Sequence, residues 1–460
     1  MPDSTIIQTL RDRLRGELIL PSDGGWDEAR AVWNARFDPQ PLALVRCLDT
    51  ADVATAVSVA RELSLPVSVR SGGHSYAGLA VGDGALALDL SRMNAVAIDA
   101  DRRVAIVEPG ATWADVDRES QLHGLATTGA TVSSVGVAGF SLGGGSGYLA
   151  RKHGLGVQNL LSLEVVTADG RVLRAGESEN ADLFWGLRGG SGNFGVVTSL
   201  EIRLHPVGPD VVTAQAFHPI EHARDVLHFF RDFTSGASDD ISAYAFALRV
   251  PPIAPFPVEQ HGRPAIVLVA CHCGDVEDGR TAFAPLAEMG EPFFAATQTT
   301  HYVAAQQAFD AGMPAGLRWY SRAQYMNALS NDAIDTFVRH AEDLAGPYTM
   351  AYFEPMGGAI ARTASDAIAF PHTDAAYGLH ILAGWSEPSD DDALMRWTRA
   401  FYDAMRPYAA AGVYVNLLAA DERDRVPAAY GANYERLVQL KKKYDPDNMF
   451  RINQNIPPQQ

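Results

Sequence analysis

The sequence predicts an α+β protein in which a mixed N-terminal domain precedes a domain of antiparallel strands covered by helices. Three observations lead to this prediction. Helix and strand patterns alternate over residues 50–205, the pattern changes after Pro206, and residues 434–458 read as a helix, a turn and an extended tail. The chain also has 460 residues, more than one ordinary hydrophobic core holds, so more than one domain is expected.

The N-terminal half supplies the elements of the first domain. Residues 1–18 predict a short amphipathic helix, and apolar residues at helical spacing from Val53 to Leu63 predict a second helix, capped by Thr50 and ended by Pro66. Strands are predicted at 67–70, 85–90 and 104–110, and a helix at 111–124. A hairpin around Asp169-Gly170 (160–175), a helix (180–189) and a long strand (195–206) follow.

The remainder predicts the second domain and the tail. A helix is predicted at 220–236, and strands at 265–274, 348–358 and 377–385. The basic run from Lys441 to Lys443 predicts a solvated helix end.

Charge and hydropathy exclude several classes of partner. The chain has 37 basic and 55 acidic residues, a formal net charge of −18, which argues against nucleic acid and against an anionic membrane. No apolar run reaches the length needed to span a bilayer, and the N-terminus lacks the pattern of a secretory signal. A cytoplasmic protein is therefore expected.

The three cysteines predict neither a disulfide framework nor a metal site. Cys271 and Cys273 flank His272, but no second pair of ligands follows at a zinc-like spacing. In a strand, residues two apart face the same side, so both thiols are expected to pack as small apolar groups.

Three glycine clusters stand out, at 71–75, 139–147 and 188–195. Glycine allows positive φ and close backbone approach, and consecutive amides can bind phosphate. Residues 190–195 match the G-x-G-x-x-G spacing, but a helix precedes them and a strand follows, the reverse of a nicotinamide-binding site. A nucleotide-sized ligand lying along several glycine turns remains, with tight turns alone as the alternative.

Several of these segments resemble one family. Residues 70–94 are similar to the flavin-attachment segment of the berberine-bridge-enzyme-like oxidases, which belong to the vanillyl-alcohol-oxidase flavoproteins. Residues 135–155, 183–206 and 444–458 resemble further segments, and members of the 6-hydroxynicotine-oxidase type are the nearest. The resemblance implies a PCMH-type FAD-binding domain of two subdomains over 1–206 (core about 38–206). It also implies a substrate domain over 207–410 and a C-terminal segment, 411–460, that returns to the FAD domain.

The resemblance implies FAD with one covalent bond. The family's S-G-G-H histidine bonds to the 8α carbon of FAD, and His74 occupies that position. Val132 stands where many relatives have a second, cysteinyl attachment, so no such bond is expected. In the family a valine at the position of Val135 gives oxygen access, which favours an oxidase. Other residues expected near FAD are Arg70, Ser71, Gly72, Gly73, Ser75, Gly136, Gly139, Gly144, Gly145, Val197 and Asn453.

Three residues are candidates for catalysis, because hydride transfer to a flavin needs a base for the O–H or N–H proton. Tyr76 matches a tyrosine that lines the family's active site. His380 points away from Leu379 and Ile381 in a strand of period two. Glu354 is either desolvated and basic or paired with an arginine such as Arg362. Tyr352 and Tyr148 are weaker candidates.

One position departs from the family. Relatives often carry a tyrosine or histidine base after the asparagine of a Y-x-N segment, but this chain has Leu417 after Asn416. Either another group acts as the base, or the substrate is an amine that binds already neutral.

The expected function is an FAD-dependent oxidase that removes a hydride from an alcohol or amine carbon of a small molecule, with O2 reduced to H2O2. One alternative is an oxidative cyclase or dehydrogenase that acts on a secondary metabolite. The other is a flavin-binding protein without turnover, to which Leu417 points. Substrate identity and oligomeric state are not predicted.

Overall fold

A computed structural model describes the backbone of residues 4–458 and the side chains of residues 7–458. Its N-terminal part contains eleven strands. They are β1 Glu17–Ile19, β2 Ala43–Arg46, β3 Val67–Arg70, β4 Leu86–Asp89, β5 Val96–Asp99, β6 Val104–Val107, β7 Leu125–Ala126, β8 Leu160–Val166, β9 Val172–Gly176, β10 Val196–Arg203 and β11 His205–Pro206.

These strands form two sheets and one short pair. The first sheet has the order β1-β2-β4-β3, with β2, β4 and β3 parallel and β1 antiparallel to β2. The second has the order β5-β6-β10-β8-β9 and is antiparallel throughout. Strands β7 and β11 pair separately. The predicted hairpin over 160–175 is confirmed as β8 and β9.

A larger antiparallel sheet follows, with the order β15-β12-β14-β13-β17-β18-β16. Its strands are β12 Asp210–Pro219, β13 Ile241–Arg249, β14 Pro264–His272, β15 Phe294–His301, β16 Arg318–Met326, β17 Met350–Pro355 and β18 Tyr377–Trp385. All seven lie within residues 210–385, a range that suits domain limits at 206 and 410; those limits stay a prediction.

Helices cover the sheets. They are α1 Ser4–Arg13, α2 Trp26–Arg30, α3 Thr50–Glu62, α4 Trp113–Gln121, α5 Val137–Gly143, α6 Ala150–His153, α7 Ala181–Gly190, α8 Ala223–Gly236, α9 Val276–Glu288, α10 Tyr302–Gln306, α11 Asn331–Ala341, α12 Asp391–Met405, α13 Val426–Tyr430 and α14 Tyr434–Tyr444. The predicted α+β class, with helices over an antiparallel sheet, is confirmed. No helix of residues 4–458 has the length and apolar character to cross a bilayer.

Helix α3 begins where the sequence predicts, but its cap is Asp49 rather than Thr50. The Asp49 carboxylate accepts a hydrogen bond from the Asp52 amide, 3.0 Å away, and so satisfies a free N–H of the first turn. The Thr50 hydroxyl instead donates to Glu164 across 2.7 Å.

The two faces of the large sheet differ in character. Phe353, Leu379 and Ile381 are buried against α8, α11 and α12 in one apolar core. Because successive side chains alternate in a strand, Tyr352, Glu354 and His380 point to the opposite face. The predicted orientation of His380, away from Leu379 and Ile381, is confirmed.

Cys271 in β14 and Cys273, one residue past its end, pack as predicted. Cys271 and Cys273 are buried in the same apolar cluster, with their sulfur atoms 3.6 Å apart.

The expectation of a solvated helix end at Lys441 to Lys443 is wrong for Lys441, whose side chain is fully buried. Its ammonium group donates to the carbonyls of Asn193 and Phe450, both at 2.8 Å, and to the Asp445 carboxylate at 2.6 Å. The Asp445 carboxylate also accepts from the Met449 and Phe450 amides. Lys441 therefore joins α14, the C-terminal tail and the third glycine cluster.

Replacement of this buried cation should destabilise the fold. Lys441→Met leaves the Asp445 charge buried without its partner, so the free energy of unfolding should fall by about 3–5 kcal/mol. Chemical denaturation of the full chain measures this. Lys442→Met is the matched control, because Lys442 is exposed one residue away and should be nearly neutral. Equal stability of the two variants would contradict the assigned role of Lys441.

Candidate active site

A cavity of about 400 Å³ lies where the first two sheets face the large sheet. Most of the predicted site residues line it: Ser71, Gly72, Gly73, His74, Ser75, Tyr76, Val135, Gly136, Gly139, Val197, Glu354, His380 and Asn453. Val132, at the position of the family's second attachment, lines it as well. The cavity therefore brings the glycine clusters and the candidate catalytic residues together.

Three predicted residues do not line this cavity. Arg70 makes an ion pair of 2.6 Å with the buried Asp89 carboxylate and lines a smaller neighbouring cavity. Gly144 and Gly145 lie behind the wall, where Cβ atoms at these positions would approach Tyr414 and Phe140 at 2.8 and 2.4 Å. Glycine at these two positions allows positive φ and close packing, and neither residue contacts the cavity.

The glycine loops meet backbone to backbone. A Cβ at Gly72 would lie 2.4 Å from the amide nitrogen of Gly136, and a Cβ at Gly136 would lie 2.3 Å from that of Gly72. No other residue fits either position without a shift of the backbone. The contact joins the loop after β3 to the start of α5.

His74 is held on one face and at one nitrogen. Its ring stacks on Trp33, with centroids 4.8 Å apart, and its Nε2 atom lies 2.9 Å from the Ser134 hydroxyl. Burial lowers the pKa of His74 to about 4, against the weaker opposing effect of the Asp310 charge. The imidazole is therefore neutral near pH 7 and has a free lone pair, as a nucleophile needs.

The carboxylate of Glu354 has two polar partners. One oxygen accepts from the Ser146 hydroxyl, and the other lies 3.2 Å from Nε2 of His380. The alternative partner, Arg362, instead pairs with Asp239 at 2.8 Å. The register of β17 and β18 explains the contact between Glu354 and His380. Glu354 lies opposite Gly378. A Cβ atom at Gly378 would lie 2.9 Å from Nε2 of His380, so the glycine leaves space for the His380 ring.

Aromatic side chains surround this pair. Tyr352 stacks on the His380 ring with centroids 4.5 Å apart. Tyr76 contacts Trp33 edge to face at 5.4 Å, and burial raises the pKa of Tyr76 well above its usual range. Tyr76 therefore stays protonated near neutral pH, able to donate a hydrogen bond. Tyr148 does not line the cavity and packs against Tyr244.

The segment 414–417, in which Leu417 departs from the family pattern, also lines the cavity. Tyr414, Asn416 and Leu417 all line it. The Tyr414 hydroxyl accepts from the Gly145 amide at 2.8 Å and from Asn416 at 3.0 Å, and burial raises its pKa to about 12. Leu417 offers only an apolar surface to the cavity.

Sequence reasoning missed several lining residues. Trp33 lies 41 positions before His74, and no local pattern indicates that the two rings stack. Ser146 lies within one of the family-like segments, but its side-chain hydrogen bond to Glu354 leaves no signal in a single sequence. The same holds for Ser134, which contacts His74 and lines the smaller neighbouring cavity. Tyr244 and Met313 come from the middle of the chain, where the resemblance is weak.

The charge of the cavity has one sign. Among the residues that the structure describes, no lysine or arginine lines it, and Glu354 is the one carboxylate that does. Tyr76, Tyr244, Tyr352 and Tyr414 line it as well. The part of the wall around Glu354 therefore suits a positively charged or aromatic group better than an anion.

Comparisons with known proteins identify two family segments. The FAD binding domain model matches residues 41–176, and the model named berberine and berberine like matches residues 413–457. An uncharacterised FAD-linked oxidoreductase of Bacillus subtilis, YvdP, is 30% identical over 97% of this chain and 99% of its own.

Two named oxidases are also similar over most of their length. The (R)-6-hydroxynicotine oxidase of Paenarthrobacter nicotinovorans is 29% identical, covering 97% of both chains. The carbohydrate oxidase of Microdochium nivale is 27% identical, covering 95% of this chain and 92% of its own. The crystal structure of 6-hydroxy-D-nicotine oxidase from Arthrobacter nicotinovorans superposes with a TM-score of 0.87 at 26% identity, covering 97% of this chain and 98% of the other.

Substitution of Gly136 tests whether the backbones of Gly72 and Gly136 are in close contact. Gly136→Ala should lower the melting temperature of the full chain by several degrees, since about 2 kcal/mol or more is expected when a methyl group meets backbone. Gly139→Ala is the matched control, because a Cβ at Gly139 meets nothing within 4 Å. Equal melting temperatures, measured without added ligand, would contradict the close contact.

Proposed function

The chain belongs to the berberine-bridge-enzyme-like family of FAD-linked oxidoreductases, and we propose that it is an oxidase of small amines or alcohols with FAD bound covalently to His74. The observation that carries the proposal is one cavity lined by His74 at one part and by the Glu354–His380 pair at another. A cofactor held at His74 and a substrate held at Glu354 would share this space.

The residues present fit FAD. Backbone of Gly72, Gly73 and Gly136 lines the cavity without side chains, so amides can approach a pyrophosphate. Val67, Val69, Leu90, Val196, Phe450 and Ile452 add apolar lining of the kind that buries a flat ring system. Asn453 lines the same cavity from the C-terminal segment.

Attachment is proposed through His74 alone. Its neutral imidazole meets the chemical requirement for a nucleophile. None of the three cysteines, all buried elsewhere, lines the cavity among the described residues, and Val132 has no nucleophilic atom.

When bound, FAD supplies the hydride acceptor, and the chain supplies position and a base. Glu354 is the proposed base: its Oε2 atom takes the N–H or O–H proton of the substrate, while the Ser146 hydroxyl holds Oε1. His380 orients the carboxylate, and Tyr352 fixes the His380 ring by stacking. Tyr76 donates a hydrogen bond to the substrate in this proposal.

The cavity favours an amine over an alcohol. An ammonium group gains from the Glu354 charge and from nearby tyrosine faces, whereas a neutral alcohol gains little from either. Proton transfer to Glu354 would give the neutral amine that hydride loss requires. The apolar Leu417 surface favours a substrate with an aromatic or aliphatic portion.

Dioxygen is the proposed electron acceptor. Val135 lines the cavity next to Gly136, and the family gives a valine there the role of oxygen access. A dehydrogenase or oxidative cyclase would instead turn over slowly in air and faster with an artificial acceptor.

Acid precipitation tests the cofactor proposal. A yellow pellet from the wild-type protein and a colourless pellet from His74→Ala are expected, because only a covalent bond survives denaturation. Flavin absorbance in the pellet measures the covalently attached fraction, and flavin absorbance in the supernatant measures the released fraction. A colourless wild-type pellet with a yellow supernatant would show that FAD is held without a bond and would overturn the role of His74.

Substitution of Glu354 tests the base. Glu354→Gln keeps the shape but removes the charge, so anaerobic flavin reduction by an amine substrate should slow by about 10²–10⁴-fold. Stopped-flow absorbance of the flavin, over a panel of amines and matched alcohols, measures the rate. Glu387→Gln is the matched control, since Glu387 is exposed just beyond the end of β18. Faster reduction by alcohols than by amines would contradict the substrate preference.

A further inference from the structure

The loop that contacts His74 is fixed by a residue from the middle segment of the chain. Ser134 contacts Nε2 of His74, and the adjacent Ser133 binds Asp310 twice. The Ser133 amide donates to one Asp310 oxygen at 2.7 Å, and its hydroxyl donates to the other at 2.6 Å. Both carboxylate oxygens of Asp310 are thus used to hold one residue of this loop.

The segment around Asp310 also fixes the residue that stacks on the His74 ring. Trp33, which stacks on the His74 ring, donates from its indole nitrogen to the carbonyl of Met313 at 3.3 Å. Trp33 also stacks on Trp319 with centroids 5.2 Å apart. Residues 310–319 therefore fix the neighbours of His74 both at its ring face and at Nε2.

The hydrogen bond at Nε2 decides which ring nitrogen of His74 has the available lone pair. Among the residues that the structure describes, Nδ1 of His74 has no hydrogen-bond partner. A neutral imidazole has one N–H and one lone pair, and the bond that one nitrogen makes selects the tautomer. If the Ser134 hydroxyl accepts from Nε2–H, the lone pair is on Nδ1.

We propose that Ser134 and Asp310 are positioning residues for covalent flavin attachment, Ser134 by selecting the reactive tautomer of His74 and Asp310 by holding the Ser133–Ser134 loop in place. The inference rests on the proposed attachment at His74. It adds that the segment around Asp310, outside the FAD-binding half, controls the formation of the bond. Binding of FAD itself does not depend on either residue.

The attachment balances with dioxygen as oxidant. Nδ1 of His74 forms a bond to the 8α carbon, a proton leaves that methyl group, and the electron pair of the broken C–H bond enters the flavin ring. The alkylated imidazole then loses its Nε2 proton to solvent; until then the Ser134 hydroxyl oxygen accepts a hydrogen bond from that N–H. Dioxygen takes the two electrons and two protons as hydrogen peroxide, which leaves an oxidised, attached flavin. The Asp310 charge favours the transient imidazolium, as its upward effect on the His74 pKa indicates.

The test follows attachment directly, without substrate turnover. Full-length protein made under flavin limitation is mixed with excess FAD in aerated buffer, and samples are acid-precipitated over time. Flavin absorbance in the pellet and the mass of the intact chain give the attached fraction. Flavin retained on the native protein before precipitation gives total binding.

Ser134→Ala should slow attachment by about tenfold or more while total FAD binding and the melting temperature stay close to the wild type. Ser134→Thr, which keeps the hydroxyl, should restore most of the rate. Asp310→Ala should also slow attachment, and Ser133→Ala should slow it less, because the backbone bond to Asp310 remains. His74→Ala gives the zero-attachment reference.

The outcomes separate this inference from the proposed function. Wild-type attachment rates in Ser134→Ala and Asp310→Ala would overturn the inference and leave the His74 bond intact. Equal losses of FAD binding and attachment in these variants would also overturn it, since the residues would then serve the binding site as a whole. Absence of any covalent flavin in the wild type would overturn both this inference and the cofactor proposal.

Discussion

The backbone contact between Gly72 and Gly136 sets the geometry of the cavity around His74. It joins the loop that follows the first sheet to the turn that starts α5, at a distance that excludes any side chain. His74 lies two residues after one glycine, and Ser134 and Val135 immediately precede the other. The proposed nucleophile His74, its hydrogen-bond partner and the proposed oxygen-access residue therefore come together because the two glycine backbones are in contact. The glycine clusters matter here as much for chain approach as for ligand contact.

The large sheet supplies the other half of the proposed chemistry, because side chains alternate between its two faces. One face packs its apolar residues on helices, and the other turns Tyr352, Glu354 and His380 toward the cavity. Gly378 leaves the space that the His380 ring occupies, so strand register also sets the contact between His380 and Glu354. Glu354 is the one carboxylate of the cavity wall among the described residues.

The C-terminal segment completes the fold through buried polar bonds. Lys441 binds the Asn193 carbonyl, and the Asn193 side chain binds the backbone of Gln454 and Ile456. These bonds hold the third glycine cluster against the tail, where Asn453 and Gln454 line the cavity. The Asp310 carboxylate likewise holds a loop that is distant in the sequence, through its two hydrogen bonds with Ser133. Side-chain bonds of both kinds join segments that are far apart in the sequence, and the fully buried Lys441–Asp445 pair would be costly to separate.

The sequence by itself determined the α+β class, the helices with clear apolar spacing, the hairpin of β8 and β9, and the family. Most residues predicted from the glycine clusters and the S-G-G-H segment line the cavity, because local backbone requirements leave local patterns. Strand β16 was not predicted, because Ser321, Arg322 and Gln324 interrupt its apolar pattern and are buried only through partners elsewhere in the fold. Only the tertiary structure decided that Lys441 is buried, that Glu354 pairs with His380 rather than Arg362, and that Trp33, Ser134 and Asp310 surround His74. Each of these depends on contacts between remote segments, which packing selects and which no single stretch of sequence encodes.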